Sequence, residues 1–202
     1  MLLDREKFGG IDKNQEKKFL AEAYSKGEAM AQIIDDLFDI SRMEAGLPLP
    51  IEKQECDINT VIENVSSYYA DLSENHVFSI KLQKPVIIMA DQNKMHQVFE
   101  NLISNAVKYS PGGGEIQIRS NLTKTGLQID IEDQGTGMTE EQLERVFDKF
   151  YRADSSNTAI SGLGLGMSIV KTIIEAHSGH IKVKSALGKG TCVTIQLPAL
   201  DN

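Results

Sequence analysis

Three glycine-bearing turns, set in order behind one amphipathic asparagine segment, constrain this chain more than any other feature. The leading segment is Asn101-Leu-Ile-Ser-Asn-Ala-Val-Lys-Tyr109. The turns are Asp133-Gln-Gly-Thr-Gly137, Gly162-Leu-Gly-Leu-Gly166 and Gly188-Lys-Gly-Thr191. Glycine lets a backbone turn tightly and lets its N–H groups approach a phosphate. Asn101 and Asn105 stand at i and i+4 and so share one helix face. A side-chain amide can offer its oxygen to a hard cation while its nitrogen donates a hydrogen bond. The combination points to a site for a magnesium-bound nucleotide.

Periodicity and punctuation place these segments in an α/β layout. Residues 4–13, with Gly9-Gly10 and Asp12, read as a loop. A long helix is expected from about Asn14 to Ala45. Along it Leu20, Ala23, Met30, Ile34, Leu37 and Ser41 recur near heptad spacing, and Ile33, Phe38 and Ile40 widen the stripe. Glu16, Lys17, Lys18, Glu22, Lys26, Asp35 and Asp36 occupy the other face. Such a stripe needs a partner helix to cover it. Gly46-Leu-Pro-Leu-Pro50 ends the helix and divides the chain into residues 1–46 and 47–202.

In the second part Asp57 is the expected N-cap of a helix to about Glu74. Strands are expected at Phe78–Leu82 and, as a buried run, at Val86–Ala90. Asp91 caps a helix through Tyr109, which Pro111-Gly-Gly-Gly114 breaks. Strands 115–122 and 127–133 turn at Lys124-Thr-Gly126. Thr139 with Gln142 forms a capping box for a short helix to about Phe147. Residues 148–163 are polar and irregular, and a helix follows from about Gly164 to Ala176. Strands 180–186 and 191–197 are joined by Gly188-Lys-Gly190. This order fits an α/β two-layer sandwich, helices on one face of a mixed sheet, preceded by a long amphipathic helix.

A net charge of −8 argues against nucleic acid as the main partner, although a few local cations suffice for a phosphate ligand. Cys56 and Cys192 form no CxxC pattern and suggest no disulfide framework. No apolar run approaches the ~20 residues of a membrane span, and no secretory signal pattern is visible. The expected compartment is the cytoplasm, either as a soluble protein or as the cytoplasmic part of a membrane-anchored receptor.

Taken together, the four segments resemble the ATP-binding domain of sensor histidine kinases, one branch of the GHKL (Bergerat-type) group. The resemblance covers about residues 14–198 and is most specific over 98–191. It implies ATP and Mg²⁺ as ligands. In that family the segment at 101–109 is the N box, where Asn105, with Asn101 alongside, contacts Mg²⁺ and the phosphates. Lys108 and Tyr109 contact phosphate or sugar. Asp133 accepts a hydrogen bond from the adenine amino group, and Gly135 and Gly137 let the backbone approach the ring. Phe147-Asp-Lys-Phe-Tyr-Arg152 resembles the F box, with Phe147 and Phe150 anchoring one end of a lid and Arg152 or Lys149 reaching the γ-phosphate. Gly162, Leu163, Gly164, Leu165 and Gly166 end the lid and open a helix whose N–H groups favour anions. Thr191 assists adenine through its hydroxyl or a water. Val193 stands where relatives often carry an aromatic.

Two departures bear on chemistry. Asn101 stands where the ATP-hydrolysing relatives carry a glutamate base, and an amide cannot accept a proton from water as a carboxylate does. The site is therefore expected to deliver the γ-phosphoryl group to an external nucleophile, with Asn101, Asn105 and Arg152 as the catalytic groups. The family's H box, Ser-His-Glu followed by Leu-Arg-Thr-Pro, is absent, and none of His76, His96, His177 and His180 stands in such a context. Residues 14–45, ending Asp39-Ile-Ser-Arg-Met-Glu-Ala-Gly46, resemble the second helix of the dimerising hairpin. Met1-Leu-Leu-Asp4 then reads as the tail of the first helix, in a chain cut downstream of its H box. The implied partners are an H-box hairpin, its own or separate, a response-regulator receiver domain and, in the full-length protein, a second copy. Two alternatives stay open: a nucleotide-binding module without catalysis, and a serine kinase of the anti-sigma-factor type. The second class usually lacks a long helix ahead of the domain.

Overall fold

Helix starts in this chain are set by side-chain caps. Asp57 accepts from the Asn59 amide at 3.1 Å, and Asp91 accepts from the Lys94 amide at 3.1 Å. Thr139 accepts from the Gln142 amide while the Gln142 side chain accepts from the Thr139 amide, completing the expected capping box. The computed structural model describes residues 13–83, 86–152 and 163–198. The chain divides into two compact units, Met1–Ala45 and Gly46–Asn202.

The first unit contains helix α1 (Lys13–Glu44), 32 residues long. Phe19, Leu20, Met30, Ile33, Ile34, Leu37 and Phe38 are all exposed along it. Lys26 pairs with Glu22 one turn back at 2.8 Å, on the charged face. Lys13, expected in a loop, is already helical. The expected helix tail at Met1–Asp4 lies outside the described residues.

The second unit runs β1 (Gln54–Asp57), α2 (Ile58–Leu72), β2 (His76–Lys81), β3 (Ile87–Ala90), α3 (Gln92–Lys108), β4 (Gly114–Thr123), β5 (Gly126–Glu132), α4 (Glu140–Glu144), α5 (Gly166–Ala176), β6 (His180–Ser185) and β7 (Thr191–Leu197). Five strands form one sheet in the order β2-β4-β5-β7-β6. Only β2 and β4 pair in parallel; the other pairs are antiparallel, so the sheet is mixed. One face of it is apolar: Ile116 and Ile118 of β4, Leu127, Ile129 and Ile131 of β5, and Val193, Ile195 and Leu197 of β7 are buried. Helices α2, α3 and α5 pack side by side on that face and contact β2, β5 and β6 in turn. Their buried residues, among them Ile58, Ile62, Met95, Phe99, Ile103, Ile169 and Ile173, close the core. The two-layer sandwich is the architecture expected from the sequence.

Several elements differ from expectation. β1 has no apolar alternation and was not expected as a strand. It exists because Cys56 and its neighbours pair with β3 in a separate two-stranded ribbon, Glu55 opposite Met89 and Cys56 opposite Ile88. That ribbon has an open side, so β3 alternates: Ile88 and Ala90 are buried, while Ile87 and Met89 are exposed. It is not the fully buried run expected. β2 begins at His76, because the ring bonds Ser73 Oγ and the Ser110 carbonyl and fixes the strand's entry. α5 begins at Gly166 rather than Gly164, whose φ of 73° is not helical.

Candidate nucleotide site

The site residues converge at one end of the sandwich, where β5 stops and α3 and the β6–β7 turn meet. Asp133 follows β5 and is buried, 8% exposed. Its Oδ1 accepts the amides of Gly135 at 2.9 Å and Thr191 at 3.2 Å. Its Oδ2 takes part in neither bond. Burial pushes the Asp133 carboxyl above the usual aspartate range, against the two backbone bonds that pull it down.

Backbone hydrogen bonds stitch three of the sequence segments together here. The Thr136 amide donates to the Tyr109 carbonyl at 2.9 Å, joining the 133–137 turn to the end of α3. The Gly188 amide donates to the Thr136 carbonyl at 2.7 Å, and the Asp133 amide to the Thr191 carbonyl at 2.9 Å, joining the same turn to the β6–β7 connection. The contacts leave no room for side chains. A Cβ on Gly135 would overlap the Tyr109 carbonyl oxygen, and one on Gly190, whose φ is 83°, would overlap that of Asp133. Gly137 likewise abuts the Ala186 carbonyl. These glycines are therefore required by the joining of turn to turn, a reason that the sequence did not disclose.

Ser185 is a member of this cluster that sequence reasoning missed. Its hydroxyl accepts from the Met138 amide at 2.9 Å and lies 2.9 Å from both the Gly190 carbonyl and Thr191 Oγ1. It holds the Thr191 hydroxyl in place. A serine ending a strand carries no sequence signal of its own.

The other side of the site lies between α3 and α5. Asn101, Asn105 and Lys108 are half-buried on α3. Asn101 commits its amide nitrogen to the Gln97 carbonyl at 2.9 Å, which leaves Oδ1 as the atom it presents. That oxygen lies at the start of α5: a Cβ on Gly166 would sit 2.5 Å from it. α5 has no side-chain N-cap, so its first amides are left for another acceptor. Leu165 is buried beneath this turn and Leu163 is exposed. Gly164 abuts the backbone of Phe150 and Tyr151, so the two flanks of residues 153–162 touch. Gly162 lies outside the described residues.

Lys108 lies close enough to Arg152 for their charges to repel. Burial, and then Arg152, lower the Lys108 pKa. The Lys108 ammonium also sits 5.4 Å from the Tyr109 ring centroid. Arg145 covers the Tyr151 ring at 4.1 Å, and Lys171 of α5 lies 5.4 Å from the Phe147 ring. Phe147 is half-buried beside α5. Phe150 does not fit the anchoring expected of it: it is 59% exposed, at a backbone φ of 62°.

Residues 90–201, more than half of the chain, match the family of histidine kinase-, DNA gyrase B- and HSP90-like ATPases. The sensor protein kinase WalK of Staphylococcus epidermidis is 33% identical over 191 residues, which is 93% of this chain and 31% of that protein. The chain thus spans about a third of the length of the curated relatives it matches. A mycobacterial sensor histidine kinase, MprB, matches in structure with a TM-score of 0.65 and 27% identity, over 73% of this chain and 98% of that one. The Acinetobacter baumannii histidine kinase AdeS shares the fold with a TM-score of 0.70 over 97% of this chain and 89% of that one, at 24% identity. Residues 90–201 are an ATP-binding domain, and the chain belongs to the histidine kinase-, DNA gyrase B- and HSP90-like ATPase family.

Proposed function

We propose that this chain is the ATP-binding catalytic portion of a two-component sensor histidine kinase. It delivers the γ-phosphoryl group to a histidine that is not one of its own four. The observation that carries this reading is a contrast in carboxylates. Asp133 supplies a buried one where the base docks, while the α3 face toward the phosphates has none. That face carries Lys94, Gln97, Asn101, Asn105 and Lys108. With no base there to activate water, hydrolysis is slow and bound ATP is kept for transfer. Transfer then rests on positioning and on charge stabilisation by Lys108 and Arg152.

Asp133 Oδ2 accepts from the adenine amino group, and the Thr191 hydroxyl, oriented by Ser185, supports the ring. The first amides of α5, with Gly164 and Gly166, face the phosphates. Mg²⁺ would be held by Asn105 and by Oδ1 of Asn101, and would neutralise phosphate charge. Among the described residues no group of three or more His, Cys, Asp or Glu side chains could hold a metal. An ion arriving with its nucleotide would take most of its ligands from phosphate and water.

The chain's own histidines suit structural duties. His76 bonds Ser73 and the Ser110 carbonyl, His177 is buried, His96 lies 3.8 Å from Glu100 on α3, and His180 is on the edge strand β6. The acceptor belongs to a hairpin of which α1 is the second helix. The exposed stripe of α1 supports pairing with a second copy, since an uncovered stripe of that length is unfavourable in water. A response-regulator receiver domain takes the phosphoryl group onward. No described helix is long and apolar enough to cross a membrane, and the proposed place of action is the cytoplasm.

The test is incubation with γ-labelled ATP and Mg²⁺, with and without a separate H-box hairpin. Acid-labile, alkali-stable label should appear on the hairpin and not on this chain. Stoichiometric label on one of the four histidines, or label on serine, would sink the assignment.

A further inference from the structure

We infer that His177, at the far end of α5 from the nucleotide, is a positioning residue that sets the register of α5 against α3 and thereby the geometry of the phosphate side. This rests on the proposed reading of the α3–α5 groove as that side. The ring is 2% exposed. The Asp91 amide donates to Nε2 at 2.9 Å, so Nε2 is unprotonated; Nδ1 carries the proton and donates to the Ile173 carbonyl at 2.8 Å. One imidazole thus joins the C-terminal turn of α5 to the N-cap residue of α3. Asp91 is itself fixed, its carboxylate accepting the amides of Lys94 and Glu52.

Another contact between these helices lies at the site. Gly166 opens α5 directly against Asn101, so that a methyl group there would force the Asn101 amide to move. Gly166 to His177 and Asn101 to Asp91 span eleven and ten residues on antiparallel helices. At about 1.5 Å per residue the two spans are roughly 16 and 15 Å, so both contacts are met in one register. A slip of one residue, about 1.5 Å, would break the imidazole bond and move the first amides of α5 relative to Asn101 and Asn105. Misplacement of that size is enough to disturb a preorganised anion site.

Burial holds the ring below the usual histidine range, and the neighbouring Lys53 charge acts in the same direction. The bond to Ile173 and the Asp91 charge act against it. The acceptor lone pair is therefore present at neutral pH. The base pocket does not touch His177: Asp133, Gly135, Gly190 and Thr191 are held by β5, β7 and their turns.

Two isosteric variants separate the ring's contacts. In His177→Gln the amide oxygen reaches the Nε2 position and keeps an acceptor for Asp91. In His177→Asn the side chain reaches only the Nδ1 position and keeps the Ile173 bond. ATP–Mg²⁺ affinity by calorimetry and adenosine binding by NMR titration should be measured on the full chain, with hydrogen exchange at the Asp91 amide. The expected result is that Asn weakens ATP binding about fivefold, near 1 kcal/mol, and unprotects the Asp91 amide. Gln should retain both properties, and adenosine should bind all three proteins alike. Equal ATP affinity in the two variants, or parallel loss of ATP and adenosine, overturns the inference. A wild-type chain that binds no ATP instead removes the proposed function, and this inference with it.

Discussion

At the Asp133 end of the site the ligand-facing groups are held by the backbone itself, whereas at the α3–α5 end they are long side chains and an uncapped helix start. Around Asp133, amide hydrogen bonds of 2.7–3.2 Å tie the 133–137 turn to α3 and to the β6–β7 connection. Around Asn105, two cations lie near one another and a helix leaves its first amides without a cap. The first end is assembled before any ligand arrives. The second carries repulsion between Lys108 and Arg152 and a helix start without a side-chain cap, which a polyphosphate would relieve on the proposed reading. On that reading, base recognition would be built into the fold and phosphate recognition completed by the ligand.

The largest effect that can break this comparison is steric. Gly190 and Gly188 belong to the same turn and have similar φ angles of 83° and 74°, yet their surroundings differ. A Cβ at Gly190 would overlap the Asp133 carbonyl oxygen and sit 2.8 Å from its carbon; at Gly188 nothing lies within 4 Å. Gly190→Ala should therefore destabilise by roughly 2–5 kcal/mol, backbone strain plus overpacking. Gly188→Ala should lose only the backbone part, about 1 kcal/mol. Urea denaturation of the two variants measures the difference. Equal losses would mean that the Asp133 end is not assembled in advance.

Next comes Asp133→Asn. The substituted oxygen still accepts from Gly135 and Thr191, but the second position becomes a donor where the proposed reading places the adenine amino group. ATP affinity should fall at least about tenfold, near 1.4 kcal/mol. Fold stability at neutral pH should hold or rise, because a buried charge is removed. The same opposition should appear on titration. A carboxyl whose folded pKa lies above its unfolded value contributes stability that is fully present below the unfolded pKa and lost as pH rises through the folded one. Acidification therefore gains stability from Asp133 while protonation removes the acceptor. Binding should begin to weaken at a higher pH than an ordinary aspartate, near 3.9, would dictate. His177 acts with the reverse sign. Its depressed pKa gives stability present above the unfolded value, near 6.5, and lost as pH falls through the folded one. Calorimetry and melting curves run in parallel from about pH 7 downward separate the two groups. The Asn variant should lose the Asp133 part of the binding profile and keep the His177 part of the stability profile.

Much of this architecture was legible in the sequence because it rests on local signals. Asp57, Asp91 and Thr139 announce their helices, and the alternation in Leu127-Gln-Ile-Asp-Ile-Glu132 announces β5. The four segments were legible as a set: all lie within the residues that match the ATPase family, and backbone hydrogen bonds join three of them at one end of the sandwich. What was not legible depends on partners distant in the chain. Gln54-Glu-Cys-Asp57 becomes a strand only through Ile87–Ala90. Ser185 matters only because Met138, Gly190 and Thr191 fold around it. Phe150, expected from the resemblance to anchor one end of a lid, is exposed, at a backbone φ of 62°. His177 reads as a plain histidine until Asp91, 86 positions earlier, is seen to bond it.

The smallest effect concerns the cations of the α3–α5 end. Lys108 is held below its ordinary pKa by burial and then by Arg152, so its charge is unwelcome in the ligand-free fold. A lysine of this kind disfavours the protonated form in the folded state, and the associated stability is lost as pH falls through the folded pKa. While the ammonium is charged, the ligand-free fold bears that repulsion. Lys108→Gln should therefore leave the ligand-free protein as stable or slightly more stable, while weakening ATP by a factor of about three to ten. The loss should shrink as salt is raised, because screening reduces what a part-exposed cation contributes. Adenosine, which carries no phosphate, should bind the variant as it binds the wild type. Should Lys108→Gln weaken adenosine and ATP in equal proportion, the two ends would not be separable, and the contrast between a preassembled base site and a ligand-completed phosphate site would have to be given up.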